Sequence, residues 1–243
     1  MKKVIIVCGV ARGGTSMACG TLAALGVRFH QTVFNDAHAK FNPKGHFETY
    51  EIASLMQKPN VDFIPAYNRG SMPTVVIMDK WKNALRKEFF SVVERLSSGS
   101  DYYGFKIGSV YTVGLFAELL KEKYQVHIVY ITRSLINNAL GYQNLVRSTR
   151  DKNFPFAHAL RDVSQSSFHL SLSMRSGNSP MSITTFEDLR NDPGGESGRI
   201  AKDIGIPMDA DKTNSVKEFV EADLHTWKKQ GNNAVYGVHG LKK

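Results

Sequence analysis

The sequence predicts an α/β protein, a three-layer sandwich in which a mainly parallel central sheet lies between helices. Three observations predict this fold class. Val4–Val7 is a continuous β-branched run, typical of a central strand buried on both faces. A glycine-containing loop and a helical segment follow this strand directly. Strand-like and helix-like segments then alternate along the chain, which favours parallel strands joined by right-handed crossovers.

The first helix should run from Thr15 and end at Gly26, because glycine readily takes the left-handed conformation at a helix C-terminus. Residues from Arg28 to Met78 lack sustained periodicity, which indicates a long active-site loop with a short helical piece at 50–56. Asp79 is the expected N-cap of the next helix. The remaining predicted elements are strands at 102–107, 126–131 and 181–186, and helices at 113–121, 137–150, 156–174 and about 193–204.

Length and composition favour one domain spanning residues 1–243, with no linker that would divide it. The net charge of +9 favours anionic partners. Basic residues are dispersed without a run of five or six, so a nucleic-acid partner is not expected. Cys8 and Cys19 fit buried small hydrophobic positions, and no cysteine or histidine spacing indicates a metal site.

The N-terminus does not resemble a signal peptide, because its apolar run is short and a loop containing Arg12 interrupts it. No apolar stretch has the roughly 18 residues needed to span a membrane. These features predict a cytoplasmic protein in a reducing compartment, without an integral membrane segment.

The loop after the first strand has the spacing of a phosphate-binding loop, with Gly9, four further residues, and then Gly14, Thr15 and Ser16. In such loops backbone N–H groups converge on an anion at a helix N-terminus. Thr15 stands where nucleotide-hydrolysing loops have lysine, which argues against ATP hydrolysis. Arg12 could stabilise charge on a bound anion, or the segment could be a glycine-rich turn with an exposed arginine. The loop extends the fold prediction to a P-loop nucleoside-triphosphate-hydrolase-like domain.

Ala11–Ser16 resembles the 5'-phosphosulfate loop of sulfotransferases that use 3'-phosphoadenosine 5'-phosphosulfate, with Arg12 where that family has Arg or Lys. Four further segments occur in the family's order and spacing: Asn42–Glu48, Phe105–Lys106, Val129–Arg133 and Phe186–Pro193. Together these segments span residues 4–207. The resemblance implies a PAPS-dependent sulfotransferase without a metal, acting on a small-molecule or carbohydrate acceptor.

The resemblance also implies a cofactor site. Arg12 and the backbone of Gly13, Gly14, Thr15 and Ser16 would hold the 5'-phosphosulfate. Arg133, at the end of its strand, would bind the 3'-phosphate as a bidentate fork, with a surface ion pair as the alternative role. The family commonly places a serine ligand for that phosphate where this chain has Gly141, and Ser134, Asn137 or Asn138 could substitute.

Four residues are candidates for catalysis: Arg12, Glu48, His46 and Lys106. Arg12 could stabilise charge on the leaving group. Glu48 is the first candidate for the base that accepts the acceptor's proton, and His46 is the second. The alternative for Glu48 is an ion-pair partner of Lys44 or a helix-start carboxylate, and for His46 an exposed loop histidine. Other branches of the family use a histidine at the position of Gly108, so that mechanism is absent. Lys106 could donate to the bridging oxygen, with a buried ion pair as its alternative role.

Two further functions stay open from the sequence: a kinase-like phosphotransferase, and a non-catalytic nucleotide- or anion-binding module. The segments from Arg28 to Met78 and from Phe154 to Met174 are expected to shape the acceptor pocket. Their mixed polar and apolar composition does not identify the acceptor.

Overall fold

The structure is a computed structural model that describes residues 2–30, 47–69 and 71–229, with side chains left undescribed at 176 and 222–229. His46 and the turn Asn42–Gly45 lie outside the described residues. The central sheet contains β1 (Lys3–Cys8), β2 (Arg28–Phe29), β3 (Tyr102–Lys106), β4 (Gln125–Thr132) and β5 (Met181–Thr185).

The sheet has the strand order β2-β3-β1-β4-β5, and every pair of neighbouring strands is parallel. Strand β1 therefore lies between β3 and β4. In the register, Val7 is opposite Lys106 on β3, and Cys8 is opposite Tyr130 on β4. The carboxyl ends of β1, β3 and β4 consequently meet at one edge of the sheet, beside the loop that follows β1.

The helices are α1 (Thr15–Ala24), α2 (Tyr50–Gln57), α3 (Asn60–Asn68), α4 (Val75–Leu96), α5 (Val113–Lys121), α6 (Leu135–Thr149), α7 (Phe156–Ser176), α8 (Phe186–Asn191), α9 (Pro193–Ile204) and α10 (Ala210–Lys229). Helices α2 to α7 contribute buried residues to one face of the sheet, whereas α1 and α8 to α10 cover the other. The predicted three-layer α/β fold is therefore confirmed.

Alternation along β1 explains the two cores. Val4 and Ile6 face the core containing α4 and α5, whereas Ile5 and Val7 face the core containing α1. All four side chains are fully buried. Because successive side chains of a strand point to opposite faces, an uninterrupted apolar run is needed when both faces are covered. Burial of each such side chain contributes roughly 1.5 to 3 kcal/mol to folding.

The start of α4 corrects one prediction. The helix begins at Val75 with Thr74 as N-cap, whose hydroxyl accepts a hydrogen bond from Ile77 N at 3.4 Å. Asp79 lies inside the helix and pairs instead with Lys82, at 2.9 Å. Val75 and Val76 are exposed, so the apolar periodicity of α4, which predicts where the helix begins, starts only after its first turn.

The segment after β2 also differs from the expected long loop. Besides the predicted helical piece, which is α2, it contains α3, with Phe63 and Tyr67 buried. Pro65 inside α3 weakens its sequence signal, because proline is normally excluded from a helix interior.

The C-terminal helix α10 was not predicted from the sequence. Val216 and Val220 on this helix are buried in the core that contains α1.

None of the helices in the described ranges combines the length and apolar character needed to cross a lipid bilayer.

Candidate functional site

The loop after β1 is closely packed and leads directly into α1. Gly13 N donates to Val10 O at 2.8 Å, and Gly14 takes φ 101°, in the left-handed region that favours glycine. A Cβ on Gly13 would lie 2.7 Å from Val10 O, and one on Gly9 would lie 2.5 Å from Ile131 O. Any side chain at Gly9 or Gly13 would therefore clash with the backbone. Glycine at such positions lets a loop bring its backbone amides close to an anion.

The N-terminus of α1 follows at Thr15 and Ser16. Gly14 is its N-cap and supplies no side-chain hydrogen bond, and the first turn contains no acidic residue. The first N–H groups of a helix have no partner within the helix and attract anions. The predicted phosphate-binding residues thus lie at a helix N-terminus, and their role in binding phosphate stays a prediction.

Arg12 has φ 66° and is half-buried, whereas the alternative interpretation expects an exposed arginine. Its side chain crosses α6 at Gly141: a Cβ placed on Gly141 would lie 3.3 Å from Arg12 Cβ and 4.0 Å from its Nε. Gly141 therefore contributes an opening for Arg12 instead of a side-chain ligand. The loop and α6 are brought together by this contact.

Arg133 and the loop both pack against Phe186, the first residue of α8. The Arg133 Cζ lies 4.6 Å from the centre of the Phe186 ring. A Cβ on Gly14 would approach the same ring at 2.8 Å from Cδ2. The predicted anion-binding loop and the predicted 3'-phosphate arginine consequently lie on one aromatic side chain at one edge of the sheet.

Arg133 is not the exposed strand-end residue of the surface ion-pair alternative, because its side chain is only 3% exposed. Its Nε lies 3.8 Å from Glu187 Oε1, which is a charge contact longer than a hydrogen bond. A guanidinium held in low dielectric interacts with an anion more strongly than one in water.

Asn138, one turn before Gly141 on α6, also faces the loop. Its Nδ2 would lie 3.7 Å from a Cβ on Gly13. The side-chain oxygen is buried and has no hydrogen-bond partner among the described residues. A buried amide oxygen without a partner is costly to folding, and a donor from a bound ligand would satisfy it.

Glu48 and Lys106 form an ion pair, with 2.7 Å between Glu48 Oε1 and Lys106 Nζ. The Lys106 side chain is 9% exposed and that of Glu48 is 30% exposed. The pair lies close to Cys19 on α1, because both of its charges act on that thiol. Burial raises the pKa of Cys19 to about 12, while the Lys106 charge lowers this pKa and the Glu48 charge raises it. The buried ion-pair alternative for Lys106 is therefore observed, with Glu48 as the partner.

A cleft of about 530 Å³ opens beside the loop and this ion pair. Val10 and Ala11 form its loop side, and Glu48 and Gly108 line it as well. A Cβ on Gly108 would meet no atom within 4 Å, so the position where some sulfotransferases have a histidine is open space. The volume suits a small-molecule ligand.

The two segments expected to shape the acceptor pocket both reach this cleft. Ala53 and Met56 on α2 and Asn60 on α3 come from the first, and Asp162 and Ser166 on α7 come from the second. Sequence reasoning named none of them individually. Asp162 carried no signal, since a single carboxylate among other charged residues of an amphipathic helix is ordinary.

Phe186 was also missed as an individual residue. The sequence placed it in a segment that occurs in sulfotransferase order, but gave it no role. Only the tertiary structure shows that its ring touches both the loop and Arg133.

Several solved structures with a similar fold are sulfotransferases. The sulfotransferase domain of the curacin biosynthetic pathway aligns with a TM-score of 0.53 at 10% identity, over 87% of this chain and 77% of that one. Sulfotransferase STF1 of Mycobacterium tuberculosis H37Rv gives 0.52 at 13% identity, over 94% and 77%. Sulfotransferase STF9 of Mycobacterium avium gives 0.50 at 13%, over 91% and 68%.

This chain has the sulfotransferase fold. The sequence-based resemblance to sulfotransferases is thereby confirmed at the level of the fold. No family model matches the sequence, and no curated protein matches it significantly.

Proposed function

We propose that this protein transfers a sulfuryl group from 3'-phosphoadenosine 5'-phosphosulfate to a hydroxyl or amine of a small-molecule or carbohydrate acceptor. One observation supports this most directly: the loop, Arg12 and Arg133 converge through Gly141 and Phe186. Two guanidinium groups and a row of helix N-terminal amides at one sheet edge have the charge and donors that suit an anionic nucleotide.

In this proposal the backbone amides of Gly13 to Ser16 bind the 5'-phosphosulfate. Arg12, whose side chain lies against α6, stabilises charge on the leaving phosphate as the reaction proceeds. Thr15 replaces the lysine of nucleotide-hydrolysing loops, so Arg12 is the cation that this loop itself provides.

Arg133 holds the 3'-phosphate in the same proposal. Gly141 has no side chain to share that role, and Asn138 is the neighbouring polar group on α6. Its unpartnered Oδ1 fits a ligand hydroxyl group such as that of a ribose. These residues fit a nucleotide that carries both phosphates and sugar donors.

The co-substrate supplies an activated sulfuryl group. As the new bond forms between its sulfur and the acceptor oxygen, the bond from sulfur to the 5'-phosphate oxygen breaks, and adenosine 3',5'-bisphosphate leaves. Glu48 lines the cleft and accepts the acceptor's proton in this proposal. Lys106 holds Glu48 through Oε1 and keeps positive charge near the transferred group.

Thermal unfolding with adenosine 3',5'-bisphosphate, ADP and ATP tests the nucleotide preference. A ligand at about 100 times its Kd adds about 2.7 kcal/mol of stability when it binds only the folded state. We expect the bisphosphate to raise the Tm most. Preference for ATP would instead favour a kinase-like phosphotransferase and would overturn the proposal.

Variants connect the Tm shift to the site. Arg12→Ala and Arg133→Ala should each reduce the stabilisation by the bisphosphate. Arg86→Ala is the matched control, because Arg86 is an exposed arginine on α4 paired with Glu122. An unchanged shift in both site variants would show that the site is elsewhere.

A transfer assay with ³⁵S-labelled co-substrate separates an enzyme from a binding module. The bisphosphate would stabilise both, but only an enzyme moves the label to an acceptor. Binding without transfer to any hydroxyl or amine in a broad acceptor panel would favour the non-catalytic module.

A further inference from the structure

The cleft beside the loop differs in charge from the molecule as a whole. The chain carries a net charge of +9. Among the described residues that line the cleft, however, the charged side chains are the carboxylates Glu48 and Asp162. A basic protein that presents carboxylates here favours a cationic or neutral acceptor over an anionic one.

Asp162 sets the sign of this charge. Glu48 is already matched by the buried ammonium of Lys106, so that pair is close to neutral overall. Asp162 is contacted by Arg161 Nε and Nη2 at 3.1 and 3.0 Å, and both contacts involve the same oxygen, Oδ1. The Arg161 side chain is 60% exposed, and such exposed pairs are weak. Oδ2 lies outside that pair, and the carboxylate keeps its attraction for a cation.

The rest of the cleft is lined by both polar and apolar side chains, and the uncharged polar ones are Gln57, Asn60, Ser109 and Ser166. Its apolar and aromatic part suits a small apolar or aromatic body. Met56 on α2 and Val163 on α7 line it, and both are buried. Tyr111 and Tyr142 add two rings. Burial raises the pKa of Tyr111, which keeps its phenol neutral at physiological pH. Aromatic rings attract organic cations, which is the same direction of preference as that of Asp162.

We infer that the acceptor carries an ammonium group on a short apolar or aromatic body, and that Asp162 is the residue that selects it. This inference rests on the proposed function for its orientation: the reacting group faces Glu48 and the loop, and the ammonium faces α7. Asp162 is a specificity residue in this arrangement and takes no part in the transfer itself.

Three phenols that differ mainly in charge test the inference: tyramine, 4-ethylphenol and 3-(4-hydroxyphenyl)propanoate. Their binding to the full-length protein is measured by calorimetry, with and without adenosine 3',5'-bisphosphate. We expect tyramine to bind about tenfold more tightly than 4-ethylphenol, and the propanoate to bind most weakly, as for a charge-assisted contact at a carboxylate that is 31% exposed.

Asp162→Asn keeps the shape of the side chain and removes its charge. It should abolish the preference for tyramine and leave 4-ethylphenol binding unchanged. Asp151→Asn is the control, because Asp151 is an exposed aspartate before α7 whose Oδ1 accepts from Asn153 N, a contact that asparagine can keep. Equal binding of the three phenols, no detectable tyramine binding, or a preference that survives Asp162→Asn would each overturn the inference.

The bisphosphate titration in the same samples distinguishes the two proposals. Failure of the bisphosphate to bind counts against sulfuryl transfer, while the charge preference is still measured in its absence. Normal bisphosphate binding without a tyramine preference counts against the acceptor inference alone.

Discussion

Lys106 Nζ and Glu48 Oε1 lie 2.7 Å apart, although the two residues come from different parts of the chain. Lys106 ends the strand beside β1, and Glu48 precedes α2. Their contact places Glu48, just before α2, at the carboxyl edge of the sheet, next to the loop that carries Arg12. This pair therefore connects the cleft proposed to bind the acceptor with the predicted nucleotide site.

A double-mutant cycle measures what this pair contributes. Glu48→Gln leaves the buried Lys106 ammonium without its carboxylate, and we expect a loss of roughly 1 to 3 kcal/mol in the free energy of unfolding. Lys106→Met alone should also destabilise. The double variant should recover part of the loss, with a coupling of about 1 kcal/mol or more in urea unfolding. Additive losses would show that the pair is not energetically coupled.

The same Glu48→Gln variant separates catalysis from nucleotide binding. Removing a general base typically lowers the rate about 10²- to 10⁴-fold. We expect sulfuryl transfer to fall by that amount, while stabilisation by adenosine 3',5'-bisphosphate stays at the wild-type level. Transfer at the wild-type rate would remove Glu48 as the base.

Gly141→Ala tests the opening that Arg12 occupies on α6. An alanine in a helix interior normally stabilises by roughly 0.5 to 1 kcal/mol over glycine. Here the new Cβ lies 3.3 Å from Arg12 Cβ, so crowding should offset that gain and weaken bisphosphate binding several-fold. Gly198→Ala on α9 is the control, because its Cβ meets nothing within 4 Å and the full gain is expected. Equal stabilisation by both, with unchanged binding, would contradict this role.

Gly14→Ala tests the contact between the loop and Phe186. The substitution forces alanine to φ 101° and places its Cβ 2.8 Å from the ring. Gly26→Ala, at φ 96° with open space around the Cβ, measures the backbone cost alone, about 1 kcal/mol. We expect Gly14→Ala to lose a further 1 to 3 kcal/mol, roughly that of an overpacked core site, together with bisphosphate binding. Urea unfolding of the two variants gives the comparison.

Two buried histidines, His127 and His169, should make the free energy of unfolding depend on pH on the acid side. Burial lowers the pKa of His127 below its ordinary value of 6.5, with Asp203 opposing the shift and Lys3 adding to it. Burial likewise lowers the pKa of His169, against an opposing hydrogen bond to the Tyr67 backbone. Between these lowered pKa values and pH 6.5, both histidines are neutral in the native state, whereas the same residues in the unfolded chain take up protons.

The two histidines should therefore not reduce the free energy of unfolding above about pH 6.5. This free energy should fall as the pH drops from 6.5 toward the lower native pKa values. His169→Phe replaces a ring that packs between Tyr67 and Tyr111 with an apolar one, and should reduce this acid sensitivity. Urea unfolding at pH 7.5, 6.5 and 5.5 measures the change. A variant that is as acid-sensitive as the wild type would exclude His169 as a contributor.

Local patterns were sufficient for much of the fold. The β-branched run of β1, Gly26 at φ 96° after α1, and the Asp192 cap of α9, which accepts from Gly195 N at 2.9 Å, follow from short-range preferences. The start of α4 was predicted wrongly, because Thr74 is a good cap that stands before two exposed valines. Helix α3 was missed, because Pro65 interrupts its pattern.

The sequence by itself determined the order of the strands and helices other than β2, α3, α8 and α10, the glycine loop ahead of α1, and the set of residues suited to bind an anion. Which of these residues meet was decided only by the tertiary structure. The order β2-β3-β1-β4-β5 places the ends of β3 and β4 on either side of the loop, which brings Lys106 to Glu48 and Arg133 to Phe186. Such contacts join distant parts of the chain, and they depend on how the crossovers pack, which no local pattern encodes.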